Sequence, residues 1–132
     1  MPPAPRIKWL APISWEDVTS LNARLCEGKD VLHKPTSDGH QVTFELWERS
    51  RLLDMSLEEA LVVCHRCHRF APFCFFNGNT FVAIARGIIK PVLEQITARD
   101  AMRAAAFRSV VGHFVAGTEG LEELRAALRE AT

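Results

Sequence analysis

The stretch TFVAIARGIIKPVL, residues 80–93, decides the fold that is expected for this chain. Apolar side chains occupy almost every side of it, which is typical of a helix buried at the centre of a domain. Arg86 and Lys90 interrupt the apolar run, so it does not meet the requirements of a membrane span. Pro91 lacks the amide hydrogen that a helix interior needs, and it is expected to kink or end this helix.

The helix before this central one has a clear start signal. Ser56 and Glu59 have the spacing of a capping box, in which each side chain accepts a hydrogen bond from the other residue's backbone amide. A helix is therefore expected from Leu57 to about Phe70, and Pro72 should end it.

Two earlier segments are also expected to be helical. Ser14 is placed to cap a helix that Gly28 ends. Residues 30–40 are expected to form a loop, with a short extended piece at 41–44, and the apolar spacing over 44–53 then favours a helix.

The C-terminal third predicts two more helices. Thr97 and Asp100 are placed to cap a helix that runs to about Ala116. After Gly120, leucines recur on one face of a last amphipathic helix, at Leu121, Leu124 and Leu128. The sequence thus predicts an all-α fold, a compact bundle of five or six helices around the central one.

Prolines at positions 2, 3, 5 and 12 predict an extended arm over residues 1–13, followed by a single helical domain over residues 14–132. The arm carries Ile7, Trp9 and Leu10, whose apolar side chains must pack on something. Either their own domain or a partner subunit would cover them, and a protein partner or a homo-oligomer is therefore expected.

Composition limits the classes of function. The chain has 132 residues, 48% of them hydrophobic, as in one soluble domain with one core. Sixteen basic residues balance sixteen acidic ones, which argues against nucleic acid and against an anionic membrane as partners. The prolines at the N-terminus leave no apolar core for a signal peptide, so we expect a cytoplasmic protein with four reduced cysteines.

The segment CHRCHRFAPFCFFNGNTF, residues 64–81, contains the candidate metal ligands. Cys64, Cys67 and His68 would share one face of a helix, and Cys74 is placed to complete a tetrahedral zinc site from the loop. The alternative is that the cysteines only pack in the core, as free cysteines often do. The Cys-x-x-Cys-His pattern also matches covalent haem attachment, but that chemistry belongs to exported proteins, so haem is not expected.

The loop of this segment is a candidate anion site. Asn77, Gly78, Asn79 and Thr80 precede the buried helix, where free backbone amides and the helix dipole attract negative charge. Gly78 is free to take a positive backbone angle there. The alternative is an ordinary turn in which Asn79 or Thr80 caps the helix without any ligand.

The order of a capped helix, the FFNGNTF loop and a very apolar helix resembles the Fic and death-on-curing (Doc) family. Its members are small all-helical proteins with a central His-Pro-Phe-x-(Asp/Glu)-Gly-Asn-(Gly/Lys)-Arg motif. In this resemblance Phe75, Gly78 and Asn79 match the motif. Phe73 stands in place of the family's histidine base, and Asn77 in place of its metal-binding acid.

At the motif's phosphate-binding arginine this chain has Phe81, so Arg86 would have to reach phosphate from further along the helix. The resemblance therefore implies a catalytically degenerate relative, and the sequence predicts a small cytoplasmic binding or regulatory domain with an anion-binding loop. Two alternatives stay open: an active nucleotide-dependent transferase, with His68 as the candidate catalytic residue, and a zinc-stabilised interaction module. The sequence leaves open whether the protein is an enzyme.

Overall fold

The computed structural model describes residues 6–131, and the described chain forms seven α-helices. They are α1 (Trp15–Gly28), α2 (His40–Arg51), α3 (Leu57–Phe70), α4 (Asn77–Ile88), α5 (Lys90–Thr97), α6 (Ala101–Ala116) and α7 (Leu121–Ala131). The all-α class is confirmed, with one or two helices more than the sequence predicted. Within residues 6–131, extended pairing is limited to isolated bridges between Ile7 and Met55 and between Pro35 and Phe73.

The predicted central helix is divided into α4 and α5. Helix α4 ends at Ile88, and Pro91 lies in the first turn of α5, where a missing amide hydrogen leaves no helical bond unmade. Helix α4 packs against α1, α3, α5 and α6, and its inward side chains Phe81, Ile84, Ala85 and Ile88 are buried. The helix that the apolar pattern placed at the centre of the domain is therefore central, although it is shorter than expected.

The capping predictions are confirmed at two helix starts. Ser14 forms a capping box with Asp17 at the start of α1, and Ser56 forms one with Glu59 at the start of α3. At the start of α6, Asp100 alone accepts the capping bond, from the backbone amide of Arg103 at 3.1 Å.

The extended piece predicted at residues 41–44 is wrong, because α2 already begins at His40. Gly39 precedes it and packs against the end of α3, where a Cβ atom would lie only 2.0 Å from the carbonyl oxygen of Phe70. Thr43 also donates its hydroxyl to the Gly39 carbonyl at 2.6 Å. Packing of Gly39 against the end of α3 is therefore associated with the start of α2 at His40. The apolar spacing along the chain does not reveal such a contact.

The described part of the N-terminal arm packs on its own domain. Leu10 is fully buried, and Ile7 exchanges two backbone hydrogen bonds with Met55, of 3.1 and 2.9 Å. Trp47 donates its indole N–H to the Ile13 carbonyl at 3.0 Å, which fixes the end of the arm. The prediction for the first five residues falls outside the part of the chain that the structure describes.

Among residues 6–131, no helix combines the length and the apolar character that crossing a bilayer requires.

Candidate functional site

Helix α4 begins at the loop that the sequence singled out. Its first residue is Asn77, and the preceding residue, Phe76, has a left-handed backbone with φ of 61°. No side chain caps the helix, so the predicted caps Asn79 and Thr80 are wrong. The positive backbone angle expected at Gly78 is also wrong, because Phe76 takes that conformation and Gly78 lies within the helix.

Asn77 uses its side chain to hold the loop together. Its Nδ2 atom donates to the Phe73 carbonyl at 2.7 Å, and its Oδ1 atom accepts from the Phe73 amide at 3.0 Å. Both ends of the side-chain amide are therefore engaged with the protein's own backbone.

Thr80 is fully buried and also has partners on the protein. Its hydroxyl donates to the Phe76 carbonyl at 2.7 Å and accepts from Nδ2 of Asn22 at 3.0 Å. Asn22 in addition donates to the Phe75 carbonyl at 2.8 Å, and its Oδ1 atom accepts from Nδ1 of His33 at 2.8 Å. The side chains of Asn77 and Thr80 thus maintain the shape of the loop. Asn79 lies between them in the sequence and is exposed.

Sequence reasoning missed Asn22, the buried residue that joins α1 to this loop. The available signal was its position: Asn22 lies four residues after Val18 and four before Cys26, on the buried side of α1. A polar residue at such a position needs hydrogen-bond partners from elsewhere in the fold, because an unpaired buried amide is costly.

Gly78 faces the end of α3 and the side chain of His68. A Cβ atom on Gly78 would lie 3.2 Å from Cε1 and 3.4 Å from Nδ1 of the His68 ring. The structure thus brings this candidate histidine directly to Gly78 in the first turn of α4. Nδ1 of His68 is buried and has no hydrogen-bond partner among the described residues.

The surroundings of His68 disfavour its protonation. Burial lowers the pKa of the His68 ring, and the neighbouring His65 and Arg69 lower it further. The ring centroids of His65 and His68 are 6.5 Å apart, and Nδ1 of His65 lies 3.2 Å from the Val115 carbonyl in α6. The ends of α3 and α6 therefore meet at these histidines.

Arg86 lies near the other end of α4. A Cβ atom on Gly112 of α6 would lie 2.8 Å from Nη2 of Arg86, so the absence of a side chain at residue 112 makes room for the guanidinium. Nε of Arg86 is buried without a partner among the described residues. Burial lowers the pKa of Arg86, and the positive charge of Arg108 lowers it further.

Acidic residues are absent from the segments that carry these side chains. The sequence has no aspartate or glutamate from Ala60 to Leu93, nor within α6. Two glutamates at the start of α3 are engaged elsewhere, Glu58 with Arg125 and Glu59 with Arg6. We define the basic face as His68 and Arg86 together with the basic side chains that lower their pKa values: His65, Arg69 and Arg108.

None of the basic-face side chains forms an ion pair with a carboxylate in the part of the chain that the structure describes. The protein has equal numbers of acidic and basic residues, but they are distributed unequally over it. A neutral composition therefore does not determine how the charges are placed on the surface.

The four predicted zinc ligands are not brought together. Among the described residues, no group of three or more histidine, cysteine, aspartate and glutamate side chains is arranged to hold a metal. Cys64 and Cys67 are fully buried in the core, whereas Cys74 is exposed in the loop and His68 faces Gly78. Burial raises the pKa of the Cys64 thiol to about 12 and that of Cys67 well above its usual value, so both stay protonated packing groups.

The two phenylalanines that stand in place of the Fic family's base and arginine are core residues. Phe73 is buried and stacks on Trp15, with ring centroids 5.9 Å apart. Phe81 is fully buried, 6.2 Å from the ring of Trp47. Neither ring supplies the base or the cation that those positions hold in the family.

Comparison with known proteins finds no matching family model, no matching curated protein and no matching solved structure. The resemblance to the Fic and death-on-curing proteins therefore stays a prediction from sequence.

Proposed function

We propose that this protein is a small binding domain whose basic face holds an anionic, phosphate-bearing ligand. The observation that carries the proposal is that Arg69, Arg86 and Arg108 form no ion pair with a carboxylate among the described residues. The segments that carry these arginines contain no acidic residue. An anion from outside the protein would supply the missing counter-charge.

Repulsion between like charges supports the same proposal. The charge of Arg108 lowers the pKa of Arg86, and the neighbouring His65 and Arg69 lower that of His68. An anion bound between such groups would relieve their mutual repulsion and accept charge-assisted hydrogen bonds. Arg86 is particularly suited to phosphate, because a guanidinium presents several donors in a fixed plane.

The proposed site differs from the loop that the sequence favoured. It keeps Gly78, Asn79 and Arg86, adds His68 as a ligand-binding residue, and excludes the side chains of Asn77 and Thr80, which bond to the protein itself. The amides at the start of α4 contribute the positive end of the helix dipole to the same surface.

A relationship to the Fic and death-on-curing proteins stays a hypothesis, and we do not propose their catalytic activity for this protein. A transferase needs a positioned base, and Phe73 cannot be one. His68 lies beside Gly78, but no carboxylate among its described neighbours is placed to orient its ring as the third group of a catalytic triad would. A protein partner or a homo-oligomer stays a separate prediction.

Calorimetric titration with inorganic tripolyphosphate at low salt tests the proposal. The variants are Arg86→Gln and a matched control, Arg49→Gln, which removes an exposed arginine from α2. We expect wild type and the control to bind alike, and Arg86→Gln to bind about tenfold more weakly. Absence of binding by the wild type, or equal weakening in both variants, would reject the proposed site.

A second variant tests position separately from charge. Gly112→Ala keeps every cation but places a methyl group 2.8 Å from Nη2 of Arg86, so the guanidinium must move. We expect weaker tripolyphosphate binding with an unchanged dependence on salt, because the number of charges is the same. If Gly112→Ala binds tripolyphosphate as tightly as wild type, the position of the Arg86 guanidinium against Gly112 does not affect binding.

A further inference from the structure

Helix α6 is apolar on its outer face as well as on its inner one. The inner side chains, which pack against the other helices, are buried: Ala104, Phe107, Val111, Phe114 and Val115. We define the outer face by the side chains that recur at helical spacing on the opposite side of α6: Met102, Ala105, Ala106, Ser109 and His113. All of them are exposed, and none is a lysine, arginine, aspartate or glutamate.

This pattern is unusual for a helix face in contact with water. Met102 alone is 85% exposed. The exposed side of α7, by comparison, carries the charged residues Glu122, Glu123, Arg129 and Glu130. A helix that is apolar nearly all round is typically buried on every side, so another element is expected to cover the outer face. Its exposure shows that the described part of this chain does not cover it.

The two ends of the outer face carry opposite charges. Arg99 and Arg103 are exposed at the start of α6, and the acid between them, Asp100, is engaged in the helix cap. Past the end of α6, the backbone amide of Glu119 donates to the His113 carbonyl at 3.2 Å, which places Glu119 beside the last residue of the outer face. Neither arginine nor Glu119 forms an ion pair among the described residues.

The outer face is complementary in size to a copy of itself that runs in the opposite direction. When Ser109 faces the same residue of a second copy, residues equally far from it on opposite sides lie against each other. Met102 then lies opposite Ala116, and Ala105 lies opposite His113. Each pair joins a large side chain and a small one, which lets two helices approach closely.

The charges agree with the same arrangement. Arg99 and Glu119 are also equally far from Ser109, so each arginine lies near the glutamate of the other copy. Arg108 is rotated by about 100° from Ser109 around the helix, so it points to the side and not at the second copy. A parallel arrangement would instead place like charges together at both ends.

We propose that a second copy of this chain binds to the outer face of α6, with the two α6 helices antiparallel and related by a twofold axis at Ser109. This inference goes beyond the proposed anion binding and does not depend on it. A twofold interface joins the same surface of both subunits, so that surface has to be self-complementary in size and charge.

The size of the interface sets the expected affinity. Helix α6 has 16 residues and is about 24 Å long, which gives an interface smaller than the roughly 800 Å² per partner of a standard complex. We therefore expect a dissociation constant on the order of 10 µM.

Sedimentation equilibrium from about 1 to about 200 µM tests the inference. The variants are Ser109→Glu and a matched control, Ser20→Glu, which changes an exposed serine of α1. We expect wild type and Ser20→Glu to pass from monomer to dimer over this range. Ser109→Glu should stay monomeric, because it brings two carboxylates together on the axis. Thermal denaturation should show that both variants are folded.

Exchange of the end charges gives a second readout. Arg99→Glu should weaken dimerisation about tenfold, because it places two acids together at each end of the interface. Addition of Glu119→Arg to the same chain reverses both charges and should restore most of the wild-type affinity. A double variant that dimerises as weakly as Arg99→Glu would overturn the antiparallel arrangement.

Wild type that stays monomeric at about 200 µM would overturn the inference, and so would equal dimerisation of Ser109→Glu and Ser20→Glu. These outcomes are separate from the failure of the proposed function, which the tripolyphosphate titration measures. A protein that dimerises without binding tripolyphosphate would support this inference and reject the proposed function. The reverse result would reject this inference alone.

Discussion

The buried polar groups on the two flanks of α4 differ in whether they have hydrogen-bond partners. On the flank that faces α1, the side-chain amide of Asn22 is fully buried and bonds to Phe75, Thr80 and His33. On the flank that faces α3 and α6, nitrogen atoms of His68 and Arg86 are buried with no partner among the described residues. The same helix thus separates a satisfied polar network from an unsatisfied one.

This difference assigns a role to each flank. A buried polar group that has all its partners stabilises one arrangement of the chain, and its removal leaves those partners unpaired. A buried polar group without a partner costs free energy in the folded state, so its removal should not destabilise the fold. The first flank therefore maintains the loop, whereas the polar groups of the second contribute little to folding.

The largest expected effect on stability comes from removing the hydrogen bonds of the flank that faces α1. Asn22→Leu should lower the free energy of unfolding by about 2–4 kcal/mol, because the Thr80 hydroxyl, the Phe75 carbonyl and the His33 ring lose their partner. Urea denaturation measures it. The control Asn79→Leu changes an exposed asparagine on α4 and should stay within about 0.5 kcal/mol. Equal losses in both variants would contradict the structural role of Asn22.

Two glycines on α4 sharpen the comparison. Gly87 has open space where a Cβ atom would lie, so Gly87→Ala should raise the free energy of unfolding by about 0.5–1 kcal/mol. Gly78→Ala should gain less, because its methyl group would lie 3.2 Å from the His68 ring and push it away. Denaturation of the two variants in parallel measures this difference. An equal gain in both would mean that the His68 ring is not held against α4.

Removal of a polar group from the unsatisfied flank should have a smaller effect on folding. Arg86→Met keeps most of the length of the side chain and removes both the unpaired Nε and the repulsion from Arg108. We expect the free energy of unfolding to change by less than about 0.5 kcal/mol, or to increase, while tripolyphosphate binding weakens about tenfold. A destabilisation as large as that of Asn22→Leu would mean that the protein itself uses this guanidinium.

The smallest effect is a dependence of stability on pH. In the unfolded chain His68 takes up a proton near its usual pKa of 6.5, and in the folded protein it does so only at lower pH. The unfolded state therefore binds more protons in this window, and the free energy of unfolding should fall as the pH drops below about 6.5. A urea titration at several pH values should show a shallower fall in His68→Gln. The same fall in both proteins would assign the effect to other groups.

Short-range signals account for the part of the fold that the sequence predicted. The capping boxes at Ser14 and Ser56, the cap at Asp100 and the break at Pro91 each act within one turn of helix, so their outcome depends on adjacent residues alone. The apolar run 80–93 likewise predicted a central helix, because side chains that are apolar all round must be buried.

The candidate site could be predicted only in part from such short-range signals. The motif drew attention to residues 77–80, but the bonds of Asn77 and Thr80 to backbone groups and to Asn22 depend on how the loop closes. The metal prediction needed four side chains to converge, and the burial of Cys64 and Cys67 on the inner side of α3 directs them away from the exposed Cys74. A spacing on one helix fixes a face of that helix but not what that face packs against.

The sequence by itself determined the helical class, most helix boundaries and the identity of the central helix, because these follow from contacts between residues close together in the chain. Only the tertiary structure decided where the charges lie. Arg69, Arg86 and Arg108 are far apart in sequence, and packing of α3, α4 and α6 brings their helices together with no carboxylate partner within residues 6–131. An equal count of acidic and basic residues fixes the total charge and leaves its placement to the fold.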